Sequence, residues 1–149
     1  MLEIVQAILE VWPRHYPLFT RISATDWADE GWNPDEAVQL SKILKQEGVD
    51  LIDCSSGGLI PGVKIPLGPG YQVLFSERIK KESGCRTAAV GLITDVHQVE
   101  QILKKEQADL VILGREYLRQ PYFVLNAARE LDIDVEWPLQ YGRAKTESK

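Results

Sequence analysis

Short apolar strands and amphipathic helices alternate four times along this 149-residue chain, and no hairpin signal interrupts them. Successive strands joined through helices run parallel, because each crossover carries the chain back before the next strand begins. The strands read as Leu18–Ser23, Val49–Cys54, Thr87–Gly91 and Ala108–Gly114. The last is a continuous apolar run, which suits a parallel strand covered on both faces. Apolar residues at helical spacing mark Met1–Val11, the stretch between Pro34 and Gly48, Tyr71–Ser83, with Val73, Leu74 and Ile79 facing inward, and the stretch after Asp95. Asn33-Pro34 supplies an N-cap and a proline at N1, Thr94 or Asp95 a further cap, and Gly84 a stop. A short helix is expected near Glu116–Arg119 and a longer one over Tyr122–Leu131. Beyond them Asp132–Lys149 is expected to be extended and frayed over Lys145–Lys149.

Periodicity alone leaves two architectures open, a doubly wound sheet and a piece of barrel. Both place ligands beyond the C-terminal ends of the strands. Those ends are Arg21–Ser23, Asp53–Gly58, Val90–Thr94 and Gly114-Arg115. Gly91 and Gly114 let backbone N–H groups approach a ligand closely, since no Cβ intervenes, and Arg115 can meet a phosphate with a forked, charge-assisted contact. The same residues also read as turn glycines and a solvated arginine. Arg21 sits in mid-strand beside Phe19 and Ile22, where a charge is expensive unless it has a partner. It reads either as a structural ion pair with Asp53 or another strand carboxylate, or as a cation facing a ligand that accumulates negative charge. Ser55–Gly70, with five glycines, three prolines and no helical period, is a long loop of the kind that is usually functional or disordered.

The net charge of −5 gives no electrostatic footprint for nucleic acid or an anionic membrane. No apolar run approaches the ~20 residues that span a bilayer, and the opening stretch does not read as a signal peptide. Cys54 and Cys85 form neither a zinc pattern nor a disulfide framework; reduced thiols and a cytoplasmic location are expected. No metal site is expected. His15 and His97 read as solvated surface residues, and Trp12, Trp27, Trp32 and Trp137 as core or edge packing.

Five segments occur in order: Pro17-Leu18-Phe19-Thr20-Arg21-Ile22-Ser23-Ala24, Asp50-Leu51-Ile52-Asp53-Cys54-Ser55-Ser56-Gly57, Pro69-Gly70-Tyr71-Gln72, Val90-Gly91-Leu92-Ile93-Thr94 and Ala108-Asp109-Leu110-Val111-Ile112-Leu113-Gly114-Arg115. Each is modest alone. In this register the chain resembles the C-terminal half of the Old Yellow Enzyme family, closest to its thermophilic-like subclass of NADPH dehydrogenases, from about Leu2 to Arg143. The resemblance implies an α/β fold, four parallel strands with outer helices, the C-terminal half of a (β/α)8 TIM barrel. It implies one FMN-binding unit over 1–143 with a polar tail at 144–149. It further implies FMN as cofactor and NADPH or NADH as reductant, with hydride passing to an activated alkene or similar acceptor. Arg21 would contact the pyrimidine side of the flavin; Gly91, Gly114 and Arg115, with Val90 lining the site, would bind its phosphate. Gln72 would approach the flavin, and Arg143 would reach a neighbouring subunit's substrate. No catalytic residue is assigned to this chain, because the paired histidines of the family belong to strands it lacks. The partners implied are a second chain supplying the N-terminal half barrel, or another copy of this one. A non-catalytic FMN- or phosphate-binding module and an inert remnant are the alternatives.

Overall fold

The computed structural model describes residues 1–145. The chain enters through helix α1 (Leu2–Val11) and then alternates: β1 (Phe19–Ser23), α2 (Pro34–Gln46), β2 (Leu51–Ser55), α3 (Val73–Ser83), β3 (Arg86–Val90), α4 (Val96–Lys104) and β4 (Leu110–Ile112). Helices α5 (Arg115–Arg119) and α6 (Phe123–Glu130) follow, and a 3-10 turn at Leu139–Ala144 ends the described chain. The strands form one parallel sheet in the order β1-β2-β3-β4. Arg21 stands beside Asp53, Asp53 beside Ala88, and Ala88 beside Leu110. Consecutive order with every strand parallel is the topology of a barrel segment, and a doubly wound sheet would reverse its order at a switch point.

Alternation along each strand sorts side chains between two faces. Ile22, Ile52 and Cys54 point toward the helices and join Val38, Leu44, Phe75 and Ile79 in one buried cluster. Ala89 joins Val73, Ile93, Val96, Ile102 and Phe123 in a second. Arg21, Asp53, Ala88 and Leu110, of opposite phase, lie on the other, concave face. The expected capping holds in detail. Asn33 Oδ1 accepts from the N–H groups of Asp35 and Glu36, and Glu36 Oε2 accepts in return from the Asn33 N–H. Asp95 caps α4 through the Gln98 N–H, and Gly84 closes α3 at φ 68°.

Four expectations need correction. Strand β4 covers three residues and not Ala108–Gly114: the Asp109 N–H donates to the Thr87 carbonyl at 2.8 Å, but Asp109 answers the Thr87 N–H with its side chain and not with its backbone. Its side chain accepts from the Thr87 N–H at 2.8 Å and pairs with Lys80 at 2.9 Å. Nor is β4 covered on both faces: Leu110 is 46% exposed on the concave side. Helix α3 starts at Val73, and its inward stripe is Val73, Phe75, Ser76 and Ile79, which turns Leu74 out to solvent. Finally, the tail is not simply extended. Tyr141 stacks edge-on against Tyr122 at 5.4 Å, and the Pro138 carbonyl accepts from the Tyr141 N–H, which draws Leu139–Ala144 into a turn. Most of the expected frayed end, 146–149, lies outside the described residues.

Candidate functional site

A cavity of about 430 Å³ opens beyond the C-terminal ends of β3 and β4. Arg21, Gln72, Val90, Gly91, Gly114 and Arg115 all line it, brought from four separate segments of the sequence. Arg143 does not; it sits on the exposed 3-10 turn.

The glycines of the wall play different parts. Gly91 has φ 125°, and a Cβ there would stand 2.8 Å from Gln72 Nε2 and 3.0 Å from the Tyr71 ring. Packing therefore requires glycine at 91. Its carbonyl accepts from the Gly70 N–H at 2.9 Å, tying the long loop to the end of β3. A Cβ on Gly114 would meet no atom within 4 Å. The space at Gly114 is open, so its backbone is bare toward whatever enters the cavity.

Gln72 is buried with both ends of its amide engaged. Ser56 donates to its Oε1 at 2.6 Å, and its Nε2 donates to the Val90 carbonyl at 2.9 Å. It clamps the loop after β2 to β3, which places it in the wall but leaves little hydrogen-bonding capacity for a ligand.

Arg21 is where the strand reading needs revision. Its side chain is 58% exposed, because the concave face of the sheet is open, and it is not a buried mid-strand charge. Its Nη1 donates to Asp53 Oδ2 at 3.2 Å and its Nη2 to Ser55 Oγ at 3.1 Å. The ion pair with Asp53 and a place on the cavity wall thus occur together and are not alternatives. Asp53 is the buried partner, 14% exposed, with Oδ1 lacking any hydrogen-bond partner among the described residues. Burial pushes its carboxyl above the ordinary carboxylate range, although Arg21 pulls the other way.

Two further cavity residues, Glu116 and Arg119, escaped the sequence reading. Glu116 is buried and accepts from Arg119 Nε at 3.0 Å, Arg119 Nη2 at 2.6 Å and Gln120 Nε2 at 2.7 Å. One signal was available: Arg115 and Arg119 are four apart, the spacing that puts two side chains on one helix face. The positive φ of Leu92, 50°, in the turn beside Gly91 carried no sequence signal.

The remaining chemistry-bearing residues lie elsewhere. Cys54 and Cys85 are buried in the core, and burial pushes the Cys54 thiol far above its usual range. His97 pairs with Glu130 on the surface, and His15 stacks on Tyr16. Trp27 packs edge-on against Phe75 in the core. No cluster of three metal-ligating side chains occurs among the described residues, and no described helix is long and apolar enough to cross a membrane.

The profile of the NADH:flavin oxidoreductase / NADH oxidase family matches residues 1–134. The chain belongs to that family. The resemblance to the Old Yellow Enzymes is thereby borne out, as is the α/β fold. Among curated relatives, an NADPH dehydrogenase of Bacillus cytotoxicus is 49% identical over 142 residues, covering 95% of this chain and 40% of that protein. A solved 2-naphthoyl-CoA reductase, in complex with 2-naphthoyl-CoA, superposes with a TM-score of 0.78 at 20% identity, covering 87% of this chain and 20% of that one. At that identity the likeness speaks for the fold, a partial (β/α)8 barrel. This member of the flavin oxidoreductase family therefore spans 40% of the length of the curated relative it matches.

Proposed function

We propose that this chain is the cofactor-phosphate side of an FMN-dependent NAD(P)H oxidoreductase. The observation that carries the reading is convergence: Arg21, Gly91, Gly114 and Arg115, far apart in sequence, line one cavity at the C-terminal ends of the strands. The residues present fit the cofactor. The open space at Gly114 gives a phosphate room against bare backbone, and Arg115 supplies a cation with a forked donor set. A phosphate held by the loops of the last two strands is a recurrent barrel arrangement. Val90 and Gly91 would continue the wall toward the ring system, and Arg21, fixed by Asp53 and Ser55, would face its pyrimidine side. FMN, when bound, supplies the hydride chemistry; the chain's own residues bind and orient it and set the electrostatic field around it.

In the complete assembly the reductant would be NADPH or NADH and the acceptor an activated alkene or similar compound. The assembly would draw its remaining strands from a second chain or from another copy, and Arg143 would reach a neighbouring subunit's substrate. Alone, the chain would bind FMN weakly and catalyse nothing. The test is a flavin fluorescence titration of the purified chain and of Arg115→Ala. Loss of one charged hydrogen-bonding group should weaken FMN binding by about 1.5–3 kcal/mol, roughly tenfold to a hundredfold. Equal affinity in the two proteins would remove Arg115 from the site.

A further inference from the structure

We propose that Arg119, locked in place by the buried carboxylate of Glu116, is a second cation of the phosphate subsite and makes the cavity select phosphorylated flavin over riboflavin. The inference rests on the FMN reading above and adds to it a residue, a support and a specificity.

Arg115 and Arg119 lie four residues apart on α5, and both line the cavity beside the open space at Gly114. Glu116, between them, has its side chain only 7% exposed. A carboxylate so placed is costly to bury without a cation and hydrogen bonds. Arg119 supplies two donors to Oε2, and Gln120 supplies one to Oε1. With both oxygens engaged by Arg119 and by Gln120 just past the end of α5, Glu116 is turned to support and not to ligand. The pair uses Nε and Nη2 of Arg119, so Nη1 takes no part in it, and the side chain remains 58% exposed. A guanidinium held by two of its donors has already lost most of its rotamer freedom, so engaging an anion with the rest costs little further entropy.

Charge alone does not account for the arrangement. Arg119 and Glu116 cancel at long range, so the benefit to a phosphate is the aimed donor and not added field. A ribityl hydroxyl, neutral and with fewer acceptor sites, gains much less from that donor than a phosphate monoester does. Selection between FMN and riboflavin follows.

The experiment compares FMN and riboflavin affinities by fluorescence titration for the wild-type chain, Arg119→Lys, and the double variant Glu116→Gln with Arg119→Gln. The lysine keeps the charge and loses the fork. The double variant removes both charges, so no buried carboxylate is left unpaired. Both variants are expected to bind FMN about tenfold more weakly with riboflavin affinity unchanged, the scale of one charge-assisted contact. An FMN-to-riboflavin ratio unchanged in both, with Arg115→Ala still weakening FMN, would overturn the role of Arg119 and leave the FMN reading standing. A wild-type chain that binds no FMN, or binds it no better than riboflavin, would overturn both. Circular dichroism melts establish that the variants fold. Should either fail to, the Arg119 Nε–Hε resonance of the wild-type chain decides: saturable movement on adding inorganic phosphate is expected, and its absence rejects the proposal.

Discussion

Asp53 shows how one residue can serve a site it does not line. It stands across the ladder from Arg21, takes one of its donors, and leaves Ser55 to take another, so the guanidinium is held from β2 while facing the cavity. With Arg21 largely in solvent the pair itself stabilises little. Burial of Asp53 works against folding instead, since it raises the carboxyl above the ordinary value of 3.8. The native chain then holds this proton more tightly than the unfolded chain. The resulting stability is fully present below the unfolded pKa and is lost as pH rises through the folded one. Asp53→Asn abolishes that titration. Relative to wild type, the variant should therefore gain stability as pH rises from below 3.8 through the folded pKa. Urea midpoints for both proteins across that range measure the gain, and parallel pH profiles would show that Asp53 is not coupled to folding in this way.

Elements were delimited by caps and turns as much as by apolar stripes. The N-terminus of α2 is the clearest case, with Asn33 and Glu36 exchanging bonds in a capping box and Pro34 at the first helical position. Asp35, in the same first turn, also pairs with Arg78 of α3, so this end of α2 is tied to the next helix. Asn33→Ala should remove the cap at a cost of about 1 kcal/mol. For a chain of this size that corresponds to a fall in Tm of roughly 2–4 °C, measurable by a thermal melt. A Tm equal to that of wild type would mean that the Asp35–Arg78 tie and packing hold the turn without the cap. The loop from Ser56 to Gln72 is organised differently, by single long-range bonds: the Gly57 N–H to the Thr25 carbonyl, the Gly70 N–H to the Gly91 carbonyl, and the Gln72 clamp.

At the scale of the molecule the open sheet is the dominant feature. Among the described residues β1 and β4 each pair on one side only, leaving two rows of backbone donors and acceptors unpaired. Phe19 on β1 is 53% exposed and Leu110 on β4 is 46% exposed, so both edges also carry apolar surface. A closed barrel has neither edges nor an open concave face. The purified chain is therefore expected to be dimeric or larger, with another copy or a second chain covering the sheet. Light scattering coupled to size-exclusion chromatography reads this directly. A monodisperse monomer at tens of micromolar, roughly the range where exposed edges associate, would contradict it.

Local sequence was sufficient for the order and type of the elements from α1 to α6, because strand and helix periods, Asn33, Asp95 and Gly84 act within a few residues. It also placed Gly91, Gly114 and Arg115 at strand ends, since every parallel α/β unit puts its loops on the same side. Tertiary structure alone decided how those residues were used. The exposure of Arg21 depended on whether the concave face was covered, and Gln72 became a clamp because Ser56 and Val90, distant in sequence, met at its amide. Glycine is required at 91 because the Tyr71 and Gln72 side chains occupy the space a Cβ would need. Arg119 carried a weak periodic hint, but its meaning came from the burial of Glu116, a product of packing around α5. Periodicity is a property of neighbours along the chain, whereas exposure and pairing are set by residues that only folding brings together.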